Sequence, residues 1–293
     1  MITLSITVIT YNQESFIKKT LDSILDQKVN FPYEIIIADD ASTDNTSAII
    51  QKYKNKFPGI IKPIFRDTNL GHTANYIETT KLCTGKYISH IDGDDLMLPG
   101  KLQKQVDYLE ANPNCSLVHH PVYYIDVSDN VTGKSKISRA TTGSINAIVK
   151  ANNIINSSNM FRRSSLDQHF YNMRKDLLLH DWLAHIIKAQ YGSICFIPEY
   201  LGSYRVYKQS VIQSTSFIKQ CDATLHTMEY ASKFKNVKMN SVKYGKSKIY
   251  FTLARHYFKK GFYKRSEYYL KKSCDNKVLS WDNFRYYIKL SFK

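Results

Sequence analysis

Several clusters of side chains along this 293-residue sequence have the types and spacing to do chemistry. The densest is Asp92-Gly93-Asp94-Asp95, with three carboxylates in four residues. Such groups repel one another unless a cation or a donor neutralises them. Hard oxygen ligands of this kind suit Mg²⁺ or Mn²⁺, which take one or two carboxylates and complete their shell with water and phosphate oxygens. Gly93 lets the backbone turn there and approach a ligand closely. The cluster is not a calcium EF-hand loop, because the glycine and terminal glutamate of that loop are missing at their spacing. Upstream, Thr10-Tyr11-Asn12 and Asp39-Asp40 each end an apolar run. Tyr11 offers a flat face on which a base can stack, and Asp39 or Asp40 can accept from an imide N–H or a ribose hydroxyl. Both aspartates can equally do no more than cap the next helix, since ADDASTD is rich in turn formers.

Downstream, His180-Asp181-Trp182 lies within LLLHDWLAHIIKAQYG. A carboxylate opening an apolar helical run is either an N-cap or a placed general base. Leu179, Trp182 and Leu183 beside it would exclude water and raise its pKa, a useful shift for a base. In Tyr204-Arg205-Val206-Tyr207, Arg205 can clamp a diphosphate in bidentate fashion or be an ordinary surface arginine. Asn156, Ser157, Ser158 and Asn159 are candidates to line a sugar and acceptor pocket, or a polar strand edge. His119-His120 falls in an alternating strand, so its two rings are expected on opposite faces and not at one metal. His72 and His90 are given no role.

These groups need elements to hold them. Residues 3–10 alternate and are rich in β-branched side chains, which predicts a strand. A helix is expected over 14–27, with Phe16, Ile17, Leu21, Ile24 and Leu25 at helical spacing. YEIIIADD reads as a buried parallel strand, and a second helix opens at 42–44 with Ser42 or Thr43 as its cap. Strands over 60–66 and 86–91 and a helix over 72–83 complete the rhythm of an open α/β sheet with right-handed crossovers. Pro99 fits the first turn of the next helix. Beyond it the pattern predicts strands at 116–125, 154–162 and 193–207, a polar loop over 126–146, and a helix over 177–191. From about 210 the sequence reads as helical, with two helices joined at Gly261 and Ile249, Leu253 and Tyr257 on one face.

Charge divides the chain. The whole carries 41 Lys and Arg against 25 Asp and Glu, a net charge of +16. Residues 226–293 hold 17 of the basic and 4 of the acidic groups, interleaved with nine tyrosines, six phenylalanines and Trp281. A near-neutral body with a basic, aromatic tail suggests a catalytic unit with an electrostatic docking element. An anionic membrane face suits that composition; a solvated helical face with tyrosines packed inside is the plainer reading. Nucleic acid is not the expected partner, because no recognised motif accompanies the charge. No apolar stretch approaches the ~18 residues of a spanning helix, and the alternating first segment is not the pattern of a signal peptide. Five scattered cysteines without a CxxC predict reduced thiols and a cytoplasmic setting.

Taken together, these stretches resemble the inverting glycosyltransferases of family 2. The residues that carry the likeness are ITVITYNQESFIKKTLDSILDQ, YEIIIADDASTDNT, NLGHTANYIETTKLCTGKYISHIDGDD with LMLPGKL, and HDW followed by YLGSYRVY. The resemblance covers roughly residues 1–210. It implies the nucleotide-sugar-binding A-type fold, α/β with a Rossmann-like central mixed sheet flanked by helices. A glycosyltransferase domain is then expected over 1–225, with a donor-binding half to about 115 and an acceptor half over 116–225. Residues 226–293 are left as a helical appendage. It further implies that Tyr11, Asp40, Thr10 and Asp39 hold the uridine, and that Asp92 meets the ribose. By the same match Asp94, supported by Asp95, bridges Mn²⁺ or Mg²⁺ to the diphosphate, and Asp181 is the general base. Gly93 and Arg205 complete the expected nucleotide site; His180 and Trp182 join the serines and Asn156 on the sugar or acceptor side. HDW is similar to transferases that build bacterial surface polysaccharides. Two departures stand out: Ile9 precedes Thr10 where many members have proline, and Tyr207 stands where relatives often carry a histidine.

The expected activity is transfer of a sugar, UDP-hexose being the expected donor, to a hydroxyl of a polyprenyl-diphosphate-linked saccharide at the inner face of the cell membrane. A nucleotidyltransferase on a similar sheet is a rival, but ITYNQESF lacks a Gly-rich phosphate loop. A non-catalytic nucleotide-sugar or lipid-binding module would have no use for Asp181.

Overall fold

The computed structural model describes residues 1–137, 142–176, 181–207 and 216–276. Its centre is a seven-stranded sheet in the order β10-β6-β9-β4-β1-β2-β3. The strands are β1 (Leu4–Thr10), β2 (Tyr33–Asp39), β3 (Ile61–Phe65), β4 (Tyr87–Asp92), β6 (Cys115–His119), β9 (Met160–Arg162) and β10 (Ser193–Phe196). The run β4-β1-β2-β3 is parallel, whereas β9 lies antiparallel between β4 and β6. All seven residues of β1 are buried, as a strand covered on both faces requires.

Alternation along the strands sends side chains to two cores. Leu4, Ile6, Val8, Ile35 and Ile37 pack with α1 (Ile17–Leu25), α2 (Thr46–Lys56) and α4 (Lys101–Ala111). Ile9, Ile36, Ala38 and Ile88 face α3 (His72–Thr80), α5 (Ile145–Lys150) and α7 (Asp181–Lys188). Each such isoleucine contributes about 1.5–3 kcal/mol on burial. A four-stranded sheet, in the order β5-β11-β7-β8, sits beside the first. It is built from β5 (Leu96–Met97), β7 (Tyr123–Ile125), β8 (Val131–Lys134) and β11 (Gly202–Arg205).

The middle of the chain departs from the pattern expected for it. The strand foreseen over 116–125 is two strands in different sheets, because Pro121 cannot donate to a ladder and the chain leaves the first sheet there. His119 and His120 are both buried, so neither ring points outward as the alternation predicted. The polar loop over 126–146 contains β8, paired with β7. The expected strand at 154–162 is a 3₁₀ turn over Asn156–Ser158 followed by β9, and the run after 193 divides into β10 and β11. A four-residue helix, α6 (Gln168–Tyr171), intervenes. Two caps also move. Asn45, not Ser42 or Thr43, precedes α2, because Ser42 Oγ is turned to Asp39. Helix α4 starts after Gly100 in the left-handed region, leaving Pro99 outside its first turn.

The helical end is formed by α8 (Phe217–Ala231), α9 (Met239–Lys259) and α10 (Tyr263–Asp275). The division expected at 225/226 falls inside α8. Cys221, Met228 and Ala231 of α8 and Val242, Ile249 and Leu253 of α9 share the core that covers Ile36 and Ile88. Tyr257 packs against that core beside Ile249 and Leu253, as their spacing predicts. Two cysteines are not isolated thiols as expected: Cys115 and Cys195 are disulfide-bonded, because β6 and β10 are neighbours that bring their Cα atoms to 6.1 Å. The spacing of 80 residues carried no such signal. Cys83, Cys221 and Cys274 remain free.

Candidate active site

The carboxyl ends of β1, β2 and β4 open into one cleft of about 670 Å³. A crevice beyond the strand ends is where ligands bind in open α/β sheets. From β1 come Thr10 and Tyr11, from β2 Asp40, and from β4 Asp92 and Asp94. The opposite wall carries Asn156, Asp181 and Trp182, with Tyr204 and Tyr207 at the end of β11 and Thr224 from α8.

The mouth is held by strained backbone. Asn12 and Ala41, directly after Tyr11 and Asp40, adopt φ of 50° and 63°, a region that costs non-glycine residues energy. Local bonds hold it. Asn12 N–H donates to Ser42 Oγ at 2.9 Å, and Asn12 Oδ1 accepts from Thr43 N–H at 2.8 Å. Tyr11 is left 46% exposed, a free face at the rim. Asp40 accepts from the N–H groups of Leu70 and Gly71, at 2.8 and 2.9 Å, and so ties the loop before α3 to the cleft. Thr10 Oγ1 donates to Gln13 Oε1 at 2.8 Å.

Within the acidic cluster the side chains have separate surroundings. Burial works against the charge of Asp92, but the imidazoles of His72 and His90, at 3.4 and 3.2 Å, hold its carboxyl well below the usual range. For Asp94, burial and then the charge of Asp92 push the carboxyl up to about 6, against the Tyr207 hydroxyl 2.9 Å away. Asp95 is raised well above its usual value by burial and by both neighbours. It does not line the cleft: it accepts from the Ser157 hydroxyl and from Arg205 N–H, the latter at 2.8 Å. Gly93 is a contact residue of a different kind, since a Cβ there would lie 2.8 Å from Thr10 Oγ1.

Other expected ligands also turn into the protein. Asp39 accepts from the Ser42 and Ser47 hydroxyls, which fixes the loop after β2. Arg205 is 1% exposed, with its guanidinium 4.6 Å over the Phe16 ring. It donates to the carbonyls of Asp94 and Asp126 and to the Asp129 carboxylate. Those donors organise the loop that carries Asp94, while Arg205 is also among the residues that line the cleft. Ser158 bonds the Ile155 carbonyl at 2.6 Å, so of the 156–158 turn only Asn156 faces the cleft. Asn156 Nδ2 is buried there without a hydrogen-bond partner. His180 lies outside the described residues.

Asp181 opens α7, as its place before an apolar run predicted. Burial raises its pKa, opposed by His72, His90 and Lys188. Trp182 closes one side, its indole N–H donating to the Ile148 carbonyl at 2.6 Å. Sequence reasoning missed His72. Burial opposes its charge, yet Asp92, Asp181 and Asp94 raise its pKa to about 9, making it a cation in the cleft. A single histidine in a helix-opening NLGH carries no pattern, and only the fold sets it against three carboxylates.

Among the described residues no group of three or more His, Cys, Asp or Glu side chains is gathered to hold a metal ion. Asp94, which lines the cleft beside Asp92 and whose carboxyl is pushed up to about 6 by burial and by the Asp92 charge, still fits a cation such as Mg²⁺ or Mn²⁺. Those ions bind one or two carboxylates and take water and phosphate oxygens for the rest.

A family model, Glycosyl transferase family 2, matches residues 5–170. The uncharacterized protein Rv1520 of Mycobacterium tuberculosis is 35% identical over 214 residues, which is 72% of this chain and 61% of that protein. The chain thus spans about three fifths of the length of that relative. Among solved structures, residues 1–349 of S. aureus TarS in complex with UDP-GlcNAc superpose with a TM-score of 0.68 at 17% identity, over 93% of this chain and 82% of that one. A mannosyltransferase from Pyrobaculum calidifontis in complex with GDP-Man and Mn²⁺ gives 0.63 at 16% identity, over 98% and 78%. At such identities the superpositions establish the central mixed sheet and its flanking helices as a shared fold. With the family model spanning more than half of its residues, the chain belongs to glycosyl transferase family 2.

Proposed function

We propose that the protein transfers a sugar from a nucleotide sugar, UDP-hexose first among candidates, to a hydroxyl of a lipid-linked saccharide, with inversion and with Asp181 as general base. One observation carries the reading. A single cleft holds an exposed aromatic face at Tyr11, the carboxylates Asp92 and Asp94 at the end of β4, and a buried carboxylate with raised pKa on the facing helix. UDP-GlcNAc and GDP-Man in the two solved relatives favour a nucleotide-sugar donor.

In the proposed reaction the acceptor oxygen forms a bond to the anomeric carbon as the bond to the diphosphate breaks. Asp181 takes the acceptor proton, and its raised pKa matches that task. One base on one side and one leaving group on the other require no covalent glycosyl-enzyme. Tyr11 would stack on the base, with Asp40 and Thr10 beside it, and His72 would place positive charge near the ribose and diphosphate. Asn156, whose Nδ2 is unpaired, and Trp182 would meet the sugar or acceptor. Asp94 would hold Mn²⁺ or Mg²⁺, which when bound neutralises charge on the leaving diphosphate. A role in surface-polysaccharide synthesis, at an anionic membrane surface met through the basic C-terminal region, belongs to the same proposal. No helix of the described residues is long and apolar enough to cross a membrane.

Calorimetric binding of UDP, with and without Mn²⁺, to wild type and Asp94→Ala tests the donor site. Metal-dependent binding lost in the variant is the expected result. Absence of binding by wild type to UDP and to GDP would overturn the reading.

A further inference from the structure

Helices α9 and α10 with the turn between them carry ten Lys and Arg against two acidic residues, and the charge is concentrated where they join. Residues 259–265, Lys-Lys-Gly-Phe-Tyr-Lys-Arg, are all exposed. Phe262 and Tyr263 are 53% and 42% exposed, and Tyr268 on the next turn is 54% exposed. Single exposed apolar residues are ordinary on a protein surface. Here two adjacent rings stand at the apex of a tight turn, framed by Lys259, Lys260, Lys264 and Arg265. The turn is also held in shape. Gly261 supplies φ of 79°, and the buried Ser266 hydroxyl donates to the Ala254 carbonyl at 2.8 Å, pinning α10 to α9. A rigid apex presents its rings without a further ordering cost.

We infer that this α9–α10 turn is a membrane-docking element whose rings enter the interface of an anionic bilayer while the four cations meet lipid phosphates. Aromatic rings favour the headgroup region, and basic side chains beside them add attraction to anionic lipid. The charge favours lipid over an apolar protein groove, and no acidic residue lies within residues 259–265 to temper it. Helix α8, against which α9 packs, lends Thr224 to the cleft wall, so docking here would set the cleft at a fixed height above the bilayer. The purpose rests on the proposed lipid-linked acceptor; the binding does not, and it is measured without substrate.

The test is co-sedimentation of the full chain with vesicles of phosphatidylcholine, with and without phosphatidylglycerol. Wild type is expected to bind the anionic vesicles and to be released by salt. Lys259→Ser/Lys260→Ser should weaken binding by roughly 25-fold, at on the order of fivefold per surface charge. Phe262→Ser/Tyr263→Ser should weaken it by roughly tenfold, with the thermal midpoint of each variant measured alongside, because Phe262 also packs on Tyr257 and Tyr263 on Phe258. Equal binding by wild type and both variants would overturn the assignment, as would binding to random RNA or DNA in place of vesicles. Loss of UDP binding with vesicle binding retained would separate failure of the transferase reading from failure of this one.

Discussion

The Tyr207 hydroxyl donates a 2.9 Å hydrogen bond to Asp94 Oδ2 at the edge of the cleft. The tyrosine ring packs 5.4 Å from Phe16, whose other neighbour is the Arg205 guanidinium. One residue therefore joins β11 to the carboxylate proposed to hold the metal. Tyr207→Phe removes a donor to a charged group, worth about 1.5–3 kcal/mol. Metal-dependent UDP affinity should fall by roughly tenfold or more, while metal-independent binding changes little. Calorimetry with and without Mn²⁺ reads both.

Asp181→Ala should lower transfer by ~10²–10⁴ and leave UDP affinity nearly unchanged. Equal losses in both would make Asp181 a binding or structural residue. Because burial raises the Asp181 pKa, its acid limb should lie above the ordinary carboxylate range. The base works ionised, so the rate should climb with pH through that limb. A transfer-rate profile measured at saturating donor decides it.

Arg205 separates a structural from a ligand-binding arginine. Its side chain satisfies two carbonyls and one carboxylate in a buried place. Arg205→Ala leaves these unpaired and should destabilise the fold by about 3–5 kcal/mol. Lysine cannot reproduce the fork, so Arg205→Lys should recover little of the loss. A variant of normal thermal midpoint that has lost only diphosphate affinity would restore the clamp first expected from sequence.

Glu34 predicts an acid dependence far from the cleft. Burial would raise its pKa, but Lys62, Ser5 and Thr84 together bring it down to about 2. A depressed carboxyl stabilises the folded state above its ordinary pKa, and that contribution is lost as pH falls towards about 2. The difference in thermal midpoint between wild type and Glu34→Gln should therefore be full at neutral pH and shrink below the ordinary carboxylate range.

Much of the first half was legible because local pattern and burial agree there. Strands β1, β2 and β4 are short, apolar and β-branched, and a central parallel strand must be so on both faces. The residues that end them, Tyr11, Asp40 and Asp92, had to emerge together at one sheet edge. The second half resisted because its strands are three to five residues long and belong to two sheets. Nothing local tells β10 that it pairs with β6, or β11 that it joins β5 and β7.

Sequence by itself determined which residues have the chemistry: the acidic cluster, the tyrosine rim, the aspartate opening α7 and the basic helical end. Only the tertiary structure decided which of them share the cleft. Asp40, Asp94, Asn156 and Asp181 face it, whereas Asp39, Asp95 and Ser157 hold loops behind it, and Arg205 reaches its lining with a guanidinium bonded to the loop of Asp94. The physical reason is that a buried polar group must find a partner, and those partners lie 3 to 111 residues away in the chain. Residue type sets what a side chain can bond; only packing sets what lies within reach.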